Sequence, residues 1–213
     1  MRRPLFQGVV VAVFTAATVA CGSDGVPITP IDPSDLTPIV ETFTGTLNIN
    51  GAVTFPFTVS RAGSANASLK ALQPRLTVRV APGGSGNYLV GETAYMGESL
   101  EAATATTTVF GWNPATRALF LDNLTGLLPT ESVIIGATSG ARWTNADVAV
   151  TAVGLALGTW SGTTCSIVLA NDLTGVDGTV TGAVQGPGTL CARVYDVGRL
   201  ETTANFTVEV AHF

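Results

Sequence analysis

The chain has 213 residues, 46% of them hydrophobic and only 12% charged, which excludes a disordered polyelectrolyte and leaves length for one sizeable core or two small ones. Ten Lys and Arg stand against fifteen Asp and Glu, a formal net charge of −5, with no basic cluster. That balance repels a phosphate backbone and argues against nucleic acid as a partner.

In chain order, Arg2 and Arg3 precede GVVVAVFTAATVA, an uncharged apolar run ending at Ala20. Charge followed by a short apolar core is the layout of a signal peptide, and the run falls short of the roughly 20 residues a membrane span needs. Thr18, Val19 and Ala20 lead into Cys21, and the stretch resembles the lipobox of bacterial lipoproteins, with Thr18 where leucine usually stands. The resemblance implies cleavage after residue 20, a diacylglyceryl group on the Cys21 sulfur, and attachment to a membrane through that N-terminal lipid. A plain cleaved signal and an uncleaved membrane anchor are the alternatives. Residues 21–40, rich in Pro and Asp, read as a flexible tether. Losing Arg2 and Arg3 with the leader leaves eight basic against fifteen acidic residues, a net charge near −7.

From residue 41 onward apolar and polar residues alternate in strand-length pieces separated by Gly, Pro or Asn turns, as in AVTFPFTVSR, RLTVRVAP, VGLALGTW and NFTVEVAH. The pattern predicts an all-β chain. Residues 98–107, ESLEAATATT, could hold a helical turn by composition, but their flanks predict strand. Cys165 and Cys191 each fall in a predicted strand and would meet an oxidising compartment after export, which predicts a disulfide between them. His212 is the only histidine and stands one residue from the end, so no metal-ligand set is legible and no cofactor is called for.

Residues 41–73, followed after a gap by VGLALGTWSGTTCSIVLAND, GPGTLCARVYDVG and FTVEV, resemble the bacterial pre-peptidase C-terminal domain and its relatives in exported lipoproteins. Phe55, Phe57 and Val59 leading into Gly63 match the family's opening phrase; Gly188 to Val194 and Phe206 to Val210 match its close. The resemblance implies an extracellular jelly-roll-like antiparallel β-sandwich, assigned here to residues 41–74 and 147–213. Residues 75–146 interrupt it, and their echo of GET…ATATTTVFGW in TES…IIGATSG resembles a small β module of bacterial and phage surface proteins. An inserted β subdomain of a few antiparallel strands at the sandwich edge is expected; one larger sandwich with elaborated loops is the alternative.

No catalytic centre is legible. A Ser/His/Asp arrangement would require the chain's frayed end to enter a pocket, and Glu92, Glu98, Glu101 and Asp122 read as strand-end or turn residues rather than a glycosidase pair. Asn171, Asp172 and Asp177 in NDLTGVDG offer oxygen ligands but also form turns well, and they lack an EF-hand spacing. Trp112, beside Asn113 and Pro114, is the candidate binding residue for a sugar or a protein pocket; Trp143 and Trp160 are expected to cover the seam between insertion and sandwich. Tyr195, Asp196 and Arg199 read as packing residues. The expected function is that of a noncatalytic, lipid-anchored extracytoplasmic protein in the cell envelope, acting in adhesion, envelope organisation or binding of a protein or glycan. A carbohydrate-binding module is the alternative, followed by a hydrolase. A glycan binder predicts aromatics in line on one sheet face, whereas a scaffold predicts buried tryptophans and an unpaired edge or apolar patch.

Overall fold

The computed structural model describes residues 37–213; the expected signal peptide, Cys21 and most of the expected tether lie outside the described residues. The described chain is all-β: β1 (Ile39–Leu47), β2 (Ala52–Val59), β3 (Gly63–Gln73), β4 (Leu76–Val80), β5 (Thr93–Gly97), β6 (Ala103–Asn113), β7 (Ala118–Gly126), β8 (Val133–Gly136), β9 (Arg142–Val150), β10 (Val153–Trp160), β11 (Cys165–Thr174), β12 (Thr179–Val184), β13 (Gly188–Tyr195) and β14 (Ala204–His212).

Eight of these strands form two antiparallel sheets, ordered β1-β14-β3-β12 and β11-β10-β13-β2. Counting only these eight, the first strand lies beside the last and the third beside the sixth, while the second pairs the seventh; this is the jelly-roll arrangement. Alternation drives it, because every second residue on each strand faces the opposite sheet. Leu47, Phe57, Leu69, Leu72, Leu155, Val194, Phe206 and Val208 fill the space between the sheets. Each such side chain contributes roughly 1.5–3 kcal/mol by leaving water. Phe43 stacks on Phe55 at 4.8 Å between centroids, and Phe206 meets Phe55 edge-on at 6.0 Å.

The other six strands close into a barrel, β4-β7-β6-β5-β8-β9, in which β4 pairs both β7 and β9. Closure removes the free edges that an open insertion would expose. Val78, Met96, Val109, Leu119, Leu121 and Ile134 make a second core, separate from that of the sandwich. The boundaries differ from the sequence-based ones: residues 147–150 complete β9 of the barrel, and residues 39–40 already belong to β1. Residues 98–102 are a turn, and strand begins at Ala103.

The barrel sits on the sandwich through two neighbouring connections, β3 to β4 and β9 to β10. On β7 five successive residues, Ala118 to Asp122, are buried, because Leu119 and Leu121 face the barrel core while the opposite face meets the seam. There Gln73 donates to Asp122 at 2.5 Å, and Arg79 donates to Glu201 and to the Thr116 carbonyl. Since β3 runs towards the barrel, Ile39 at the start of the parallel β1 lies at the opposite end of the sandwich.

Within the barrel, Glu92 is almost fully buried and ties two loops together. Its carboxylate accepts the backbone N–H groups of Leu89, Thr138 and Ser139 and the Ser139 hydroxyl. Burial alone pushes its pKa up, but these four donors outweigh that and hold it below the ordinary 4.5. A lowered folded-state pKa means the contribution is complete above pH 4.5 and is lost as pH falls through the lowered value. Glu92→Gln is therefore expected to cost about 2 kcal/mol near neutrality, with the gap from wild type closing on acidification, as read by urea denaturation from pH 7 to 3.

Candidate functional site

The surface feature that stands apart is the edge strand β11. It pairs only with β10, and Ile167, Val168, Leu169 and Leu173 are exposed along it, Val168 at 67%. Two bulges interrupt its register with β10. Despite this exposure β11 is held at both ends, each time by a side chain of β13 reaching across β10.

Both crossings pass over a glycine. Tyr195 stands opposite Gly154, and a Cβ there would lie 2.3 Å from the Tyr195 ring; the hydroxyl crosses to bond Asp172 on β11. Cys191 stands opposite Gly158 and forms the disulfide with Cys165 on β11, with the two Cα atoms 5.8 Å apart. A Cβ at Gly158 would lie 2.2 Å from the Ser166 carbonyl oxygen, so β11 curls over this position. The LALGT phrase is thus a clearance requirement. Burial, then the bond to Asp172 and that residue's charge, push the Tyr195 pKa up to about 12.

Beside β11 lies an apolar slot of about 390 Å³, between the edge strands of the two sheets. Leu157, Val168, Leu169, Val184 and Leu190 line it, with the Gly186–Pro187 turn at its mouth. Residues 148–171 and 178–192 contain no ionisable group other than the bonded cysteines, and the fold brings both stretches to this corner. The corner lies at the end of the sandwich away from the barrel, since β10 runs from the barrel connection towards Trp160.

Trp112 is placed differently from a sugar platform. It ends β6 half-buried, edge-on to Tyr88 at 5.4 Å and against Trp143 at 5.3 Å, and its indole N–H is taken by the Asn87 side chain. Trp143 donates to the Gly86 carbonyl, and the backbone of Gly84 lies flat on its ring. The pair plugs the barrel end remote from the connections, so Trp143 does not cover the seam. Nor does Trp160, which ends β10 opposite Cys165. The seam residues Phe120, Arg79, Glu201 and Gln73 carried no sequence signal beyond alternation.

The remaining candidates are occupied by structure. His212 is not on a frayed end: β14 pairs with β1 up to this residue, and the imidazole is buried beside Phe57 with Nε2 2.8 Å from Glu41. Asp122 holds Gln73, while Glu98 and Glu101 are exposed around the turn before β6. Asn171 accepts the Leu173 N–H, and Asp177 takes a positive φ in the turn before β12. Asp196 accepts three N–H groups of the next turn, Gly198 to Leu200, and that of Asn50. Among the described residues no group of three or more His, Cys, Asp or Glu could hold a metal ion. Cys21 lies outside them. No protein-family model matches the sequence, and no curated protein matches it either.

Three outcomes follow for the crossings. Reducing the disulfide, which closes a separation of 26 residues, is expected to cost about 3.5 kcal/mol on the chain-entropy relation, read as the urea midpoint with and without reductant. Gly158→Ala forces backbone apart and should cost about 1–3 kcal/mol, against no measurable change for Gly186→Ala, which opens onto solvent. Tyr195→Phe should cost about 1 kcal/mol at neutral pH. With a raised folded-state pKa, that increment is complete below pH 10 and disappears as pH rises through about 12.

Proposed function

We propose that the mature protein is a noncatalytic binding protein, tethered outside the cytoplasm by lipid on Cys21, and that the β11 corner is its docking face for a protein partner. The observation carrying this reading is the corner itself, an apolar edge open on one side and free of charge up to Asn171, held by the Tyr195–Asp172 bond and the disulfide. Apolar surface left exposed and fixed in place loses little conformational entropy on docking.

The envelope part of the reading is supported by the lipobox-like residues 18–21 and by a disulfide suited to an oxidising compartment. The resemblance to lipoprotein relatives of the pre-peptidase C-terminal domain points the same way. A glycan-binding reading is disfavoured because Trp112 and Trp143 have their N–H groups satisfied internally and lie in a barrel plug.

The test uses the full chain expressed with its own leader, carrying a photo-cross-linking residue at Ile167 or, as control, at Thr44 on the outer face of the other sheet. Mass analysis of the membrane-extracted protein is expected to find a diacylated or triacylated peptide beginning at Cys21, absent in Cys21→Ser. Illumination should yield a cross-linked species from position 167 and none from position 44. An unmodified N-terminus overturns the anchor, and no adduct at 167 overturns the docking face.

A further inference from the structure

We infer that the partner received by the β11 corner is a second copy of this chain. The inference rests on reading that corner as a docking face, and adds the identity of the occupant.

Shape favours it and charge permits it. A ridge and a hollow lie side by side: Ile167 and Val168, exposed at 46% and 67%, stand next to the slot that Val168 and Leu169 help to wall. Rotation about a two-fold axis through such a patch lays the ridge of each copy over the hollow of the other, an isologous contact that closes at two. The slot, at about 390 Å³, has room for several aliphatic side chains. Elsewhere two copies repel, each carrying a net charge near −7 after loss of the leader, whereas the two stretches that build the corner hold no charge. An anionic lipid surface is a poorer fit, since the same stretches offer no Lys or Arg to meet it. The bulges at Leu157/Gly158 and Val153/Leu155 break the hydrogen-bonding row of β11, so the contact is made by side chains rather than by a continuous ladder.

Two differently tagged full-length copies, co-expressed with their leader and extracted in mild detergent, test this. Wild-type copies are expected to co-purify. Val168→Asp in both copies sets like charges near the axis and should reduce co-purification at least about tenfold. Pairing a Val168→Asp copy with a Val168→Lys copy should restore it, a rescue that only self-association predicts. Because Val168 is exposed, an unchanged urea midpoint for each variant verifies folding. Failure of wild-type copies to co-purify, or an undiminished yield with Val168→Asp in both, overturns the inference. If the copies fail to co-purify while position 167 cross-links to a different protein, the second copy is excluded and the docking face stands. If position 167 gives no adduct as well, both fall.

Discussion

Steric clearance over the outward row of β10 is the constraint on which the sandwich depends. Gly154 and Gly158 stand on that row with Ala156 between them; the missing side chain of Gly154 lets the Tyr195 ring pass over β10 to Asp172, and that of Gly158 lets β11 curl over β10 until Cys165 meets Cys191. Without those crossings β11 would be joined to the protein by a bulged ladder along one side only. With them, a strand whose residues from Ser166 to Leu173 are all exposed is fastened near both ends to β13 as well. The two kinds of crossing are complementary. The disulfide restricts the unfolded chain, while the tyrosine–aspartate bond adds a charge-assisted contact in the native state.

The barrel solves a different problem with the same material. A six-strand insertion left open would add two more edges to a protein that already has four, and closure through the β4–β9 pair avoids this. Its ends still need covering. At the remote end the two tryptophans and Tyr88 form the plug, roofed by the glycine-bearing loop after β4 and fastened by the buried carboxylate of Glu92. Along its side, the wall that faces the sandwich buries both faces of β7 from Ala118 to Asp122.

Alternation made the fold class readable, because a sandwich buries one face of each strand and the sequence records it as period two. It placed most strands within a few residues, including β2, β4, β10 and β14. It missed β5 and β9. RWTNADVAV carries Asn, Ala and Asp where a strand usually has branched side chains, and β9 is set by tertiary pairing with β4 and β8 instead. Barrel closure joins residues about seventy positions apart, a relation no local pattern contains. The exposed character of β11 was hidden because Ile167, Val168 and Leu169 look like core residues until their neighbours are known. Two signals were present but unread: glycines four apart on one strand, and a tyrosine four residues after a cysteine on another. Together they mark a face over which side chains cross.

The sheet order also determines how the molecule would carry load. The chain enters through Ile39 at one end of the sandwich, and the barrel hangs from Gln73 at the other, on strands separated by β14 alone. A pull between the N-terminal side and the barrel therefore slides β1 and β3 past β14 along their length, straining every bond of both ladders together rather than opening them one at a time. The second connection, from β9 into β10, enters the other sheet at the end away from the β11 corner. Tension between those points is borne within the β1-β14-β3-β12 sheet, whereas β11 belongs to the other sheet, where the Tyr195–Asp172 bond and the disulfide keep its apolar edge in register.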